Sequence, residues 1–140
     1  MRPDLEIFSN TVQKTHIWLR ELMQELDWDD EHKAYLALRA VLQALRDRLT
    51  VAEATQLAAQ LPTLVRGFYY EGWSPTAKPV KERHQEEFLA HVKSYFRNDD
   101  RVLPEEVVRA VFKVLSKHVS QGEIEDVKHT LPGELRLFWP

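Results

Sequence analysis

Apolar residues recur at helical spacing along most of this chain. Phe8, Val12, Leu19, Leu22 and Leu26, with Met23 beside them, predict a long amphipathic helix near residues 5 to 26, with Ser9, Asn10 and Thr11 open to fraying at its start. Asp27 to Asp30 reads as a turn rich in capping side chains. Tyr35, Leu38, Val41, Leu42, Leu45 and Leu49 then trace a second stripe, ending at about Leu49. Thr50-Val-Ala-Glu53 is a capping box, in which the hydroxyl accepts the N–H three residues on and the glutamate reaches back to the cap, and Leu49 with Ala54 has the spacing of a hydrophobic staple. Ala54, Leu57, Ala58 and Leu61 give the next helix its buried face. Pro62 suits the first turn of a short following helix, and Gly67 is placed to stop it in the left-handed region. GFYYEGWSPTAKPV reads as a connector.

The same order then returns. Phe88, Leu89, Val92 and Phe96 predict a helix, Asn98 to Asp100 a turn, and Pro104-Glu-Glu a helix first turn. Val107, Val108, Val111, Phe112, Leu115 and Val119 form a stripe, kept helical by burial despite the modest propensity of valine. Ser120-Gln-Gly-Glu123 repeats the capping box and Leu131-Pro132 repeats Leu61-Pro62. Arg66 returns as Arg136 and Phe68 as Phe138, an offset of 70 residues throughout. The expected fold is all-α: two pseudo-repeated four-helix units, about eight helices, packed as one compact globule. The first unit, with the start of the aromatic connector, takes residues 1–75; the end of the connector and the second unit take 76–140.

The segments LRDRLTVAEATQLAAQLPTLVRGFYYEGW and HVSQGEIEDVKHTLPGELRLFWP resemble the prokaryotic domain-of-unknown-function family 2267, and the resemblance spans nearly the whole chain. It implies an all-helical, internally duplicated cytoplasmic domain and supplies no catalytic residue to carry over. The proline start in RNDDRVLPEE, which the first half lacks, is the one departure and touches only that helix boundary.

Composition narrows the chemistry. A chain of 140 residues, 44% hydrophobic, can bury its own core. The absence of cysteine excludes a disulfide framework and thiolate metal sites. No window approaches the apolar length of a membrane span, and charges in MRPDLEIF stand where a signal peptide needs an apolar run, so the expected location is cytoplasmic. A net charge of −3 with mixed signs gives no general attraction to nucleic acid or membrane. The four glycines form neither a P-loop nor a dinucleotide fingerprint, and no serine sits in a nucleophile elbow.

The nearest approach to a metal constellation is Glu125, Asp126 and His129 on one helix side, but the matching first-half positions offer no ligands, so no metal and no cofactor are expected. Arg39, Arg66, Arg109 and Arg136 hold the same spacing to Glu53 and Glu123 in both halves. They read first as structural ties and second as anion-binding positions. Lys78, Lys81 and Arg83 near aromatics are diluted by Glu71, Glu82, Glu86 and Glu87, and His16, His32, His84, His91 and His118 are scattered as surface residues are. Tyr70 and Trp73 lie outside the repeated core pattern and are the partner-binding candidates. The leading function is a non-catalytic helical interaction or adaptor module, with a protein partner or self-association. A small-ligand or anion-binding protein comes second, and an enzyme third.

Overall fold

A computed structural model describes residues 5–82 and 84–140, which form eight α-helices, one 3-10 turn and no strand. The helices are α1 (Glu6–Leu26), α2 (Glu31–Asp47), α3 (Val51–Ala58), α4 (Thr63–Tyr70), α5 (Gln85–Lys93), α6 (Pro104–His118), α7 (Gln121–Thr130) and α8 (Gly133–Arg136), and the 3-10 turn Ser94–Phe96 follows α5. The starts follow local chemistry. Asp30 accepts from the Lys33 N–H at 3.2 Å, Thr50 from Glu53 at 3.1 Å and Ser120 from Glu123 at 3.3 Å. Asp27 closes α1 at a left-handed φ of 55°, which its short polar side chain tolerates.

Gly67 does not stop α4. The helix runs on to Tyr70, because Phe68 and Tyr69 continue its buried face at 8% and 0% exposure. The left-handed position falls instead on Gly72, at φ 78°.

One hydrophobic core draws on both halves of the chain. α2 packs against α6, α1 and α5 each lie against both of them, and α3 packs against α7. The valine-rich face of α6 sits at the centre, with Val107, Val108 and Val111 fully enclosed. Each half holds about 70 residues, a size at which one core is marginal. Residues 1–75 expressed alone are therefore expected to give a self-paired or poorly ordered species. A cooperative, monomeric melt of that fragment by circular dichroism and sedimentation would count against the shared core.

Two polar side chains are committed to the fold inside this core. Gln43 and Arg46, each 6% exposed, reach the carboxyl end of α4. Gln43 donates to the Phe68 carbonyl at 2.8 Å, and Arg46 donates to those of Tyr69 and Glu71. They satisfy carbonyls that the end of a helix leaves without intrahelical donors.

Candidate functional site

The amino-terminal part of α1 departs from the expected core. Phe8 and Val12 belong to the stripe by spacing, yet they are 58% and 43% exposed, and the enclosed residues of α1 begin only at Thr15. A helix of 21 residues is roughly 31 Å long, and the part of it before Thr15 carries no enclosed residue. Leu5, Ile7 and Leu64 are exposed as well. The Thr11 hydroxyl accepts the Leu64 N–H at 2.8 Å, which ties the start of α4 to α1. Beside this ridge runs an open groove of about 900 Å³ with Leu19, Tyr35 and Phe68 among its lining residues. An apolar ridge thus shares one face with a largely apolar groove, whose lining also carries the His16–Glu31 and Arg39–Glu71 pairs.

A second constellation lies where α3 meets α7. Only the first limb of each capping box forms. The Glu53 and Glu123 side chains do not return to their caps; they meet each other, with Asp126 adjoining, and one oxygen from each of the three lies within 4.8 Å of the others. Packing α3 on α7 aims both third-position carboxyls into one contact. The Ser120 N–H is satisfied by Gln60 Oε1 at 2.8 Å, a cap supplied from the other half of the chain. Burial, then the Glu53 carboxyl, then Asp126 push the Glu123 carboxyl up to about 8.

The family model described as Uncharacterized conserved protein (DUF2267) matches residues 15–138. The chain belongs to this family. Among curated proteins none matches it significantly. The match covers α2 to α8 whole and α1 from Thr15, where its enclosed residues begin.

The arginine candidates of this DUF2267 chain do not gather around the glutamates. Arg66 donates to the carbonyls of Ala58 and Leu61 at 2.8 and 3.0 Å, and Arg136 donates to those of Lys128 and His129 at 2.6 and 3.1 Å, so both close the end of the preceding helix. Arg39 donates to Glu71 at 2.6 Å and to the Tyr35 hydroxyl, and the Glu71 carboxylate raises its already high pKa. Arg109 lies over the Phe138 ring, 5.1 Å from its centre. Glu125 accepts from Gln121, and His129 Nδ1 contacts the Glu125 carbonyl. Asp126 faces the two buried glutamates, away from the constellation with Glu125 and His129 that the spacing suggested.

Tyr70 and Trp73 are half-buried and in mutual contact, ring centres 5.3 Å apart, and Tyr70 also meets Tyr69 edge-on. The Trp73 indole N–H is enclosed without a partner among the described residues. His91 is not a surface residue: it is half-buried, and burial, then the Arg48 charge, lower its pKa. His118 stacks on Trp18 with centres 4.9 Å apart and contacts Glu21 at 2.6 Å. Arg83 lies outside the described residues. Tertiary contact alone singles out Leu64, Gln60 and the Glu53–Glu123 pair; the repeat offered one signal, since position 53 meets its own counterpart.

Proposed function

We propose that this protein is a non-catalytic helical interaction module, and that its docking face, the start of α1 with Leu64 of α4, takes the same face of a second copy. The observation that carries this reading is the exposed ridge of Leu5, Phe8 and Val12 beside a largely apolar groove. A two-fold contact needs one surface that is complementary to itself, and a ridge next to a groove provides it. Large apolar side chains grouped on a surface favour association over isolation in water.

The two halves, residues 1–75 and 76–140, are read as duplicated four-helix units. The paired caps at Thr50 and Ser120 and the paired carbonyl ties of Arg66 and Arg136 support this. No described helix is long and apolar enough to cross a membrane. The lack of cysteine supports a cytoplasmic location, and the mixed charge supports a protein partner over nucleic acid. The anion-binding alternative draws less support, because Arg66 and Arg136 already serve backbone carbonyls.

Sedimentation of the wild type over a range of about 1 to 200 μM is expected to show reversible dimerisation. Phe8→Asp and Leu64→Asp are each expected to hold the chain as a monomer throughout, with stability changed by no more than about 0.5 kcal/mol, as exposed substitutions are. A wild type that remains monomeric across the range, or variants that dimerise equally well, would remove this face from the contact.

A further inference from the structure

Three carboxyl groups crowd the α3–α7 contact, and acidity is not the only feature that marks them. Glu53 is 9% and Glu123 8% exposed. Oε1 of each is shut off from solvent with no hydrogen-bond partner among the described residues. Burying a polar oxygen without a partner costs free energy, so the enclosed pair calls either for a proton held between the two carboxyls or for a cation that neutralises both. No described basic side chain pairs with Glu53, Glu123 or Asp126. Lys128, on the same helix, pairs with Glu125 instead.

The charge and the spacing then select an occupant. Fully ionised, the three carboxyls carry three negative charges that no described basic side chain offsets. Oxygens bound to one ion at about 2.3–2.6 Å are at most about 4.6–5.2 Å apart, and the three donor oxygens lie within 4.8 Å of one another. An all-oxygen donor set suits a hard cation and offers nothing to a thiophilic one. We propose that Glu53, Glu123 and Asp126 bind one divalent cation of the Ca²⁺ or Mn²⁺ class, which ties the start of α3 to the start of α7. Asp126 is exposed and provides the way in, while the two buried glutamates provide the enclosed ligands. The site is separate from the α1 face and does not depend on self-association.

The test uses the full chain stripped of metal, with CaCl₂, MnCl₂ and MgCl₂ titrated separately by calorimetry and melting temperature followed in parallel. Saturable binding of one Ca²⁺ or Mn²⁺ per chain is expected, with a rise in Tm. Asp126→Asn, at an exposed position that leaves the core untouched, should weaken binding by roughly tenfold or more, and the Glu53→Gln Glu123→Gln double variant should abolish it. Glu125→Gln should bind as the wild type does. The proposal is overturned if neither Ca²⁺ nor Mn²⁺ gives heat or a Tm shift up to about millimolar concentration. It is equally overturned if folded Asp126→Asn binds unchanged, or if Glu125→Gln abolishes binding.

Discussion

Acidifying the metal-free protein from pH 8 to pH 6.5 is expected to stabilise it by roughly 1–2 kcal/mol, seen as a rise of roughly 3–8 °C in Tm. The cause is Glu123, whose carboxyl is pushed from its ordinary 4.5 up to about 8 by burial first and by the neighbouring Glu53 carboxyl second. Between those two values the folded chain holds a proton that the unfolded chain has released. Stability from this group is fully present below 4.5 and is lost as pH rises through about 8. His91 acts in the opposite sense, because burial, followed by the Arg48 charge, depresses its pKa below the ordinary 6.5. Its contribution is present above that value and falls away on acidification, so the gain should level off below about pH 6.5.

Glu123→Gln is expected to flatten the response from pH 8 to 6.5 and to stabilise the metal-free protein at pH 8 by on the order of 1–2 kcal/mol. The carboxamide is neutral at every pH and supplies an N–H donor to Glu53. Thermal melts of both proteins in chelator at several pH values provide the measurement. A wild type that loses stability on going from pH 8 to 6.5 would show that the two carboxyls are not held together in the folded chain.

Phe112→Ala is expected to cost about 3–5 kcal/mol, lowering Tm by roughly 10–15 °C, whereas Phe8→Ala should change stability by less than about 0.5 kcal/mol. Both residues are phenylalanines on the apolar stripe of a long helix, and their surroundings differ completely. Phe112 is fully enclosed, stacks on Trp139 with ring centres 4.1 Å apart and planes 17° from parallel, and meets Phe88 on another side. Truncation there removes both stacking and burial and leaves a cavity at the junction of α5, α6 and the carboxyl end of the chain. Phe8 is 58% exposed, so its truncation removes little that folding had enclosed. Urea unfolding of both variants separates the cases, and equal losses would mean that the start of α1 is packed.

Local chemistry was legible in the residues themselves. Apolar spacing located the helices, and Thr50 and Ser120 marked two of their starts, because a cap acts over three residues and needs nothing from the rest of the fold. The repeat pairs Phe68 with Phe138, and both are enclosed. The destination of a side chain that leaves its own helix was not legible. Glu53 and Glu123 have the sequence of capping-box glutamates, yet the approach of α3 to α7 turns each toward the other. Gly67 has the sequence of a helix stop, but burial of Phe68 and Tyr69 carries α4 past it. Phe8 and Val12 fit the stripe of α1, but periodicity fixes only which face a residue occupies. Whether another helix covers that face is decided by contacts between residues far apart in sequence.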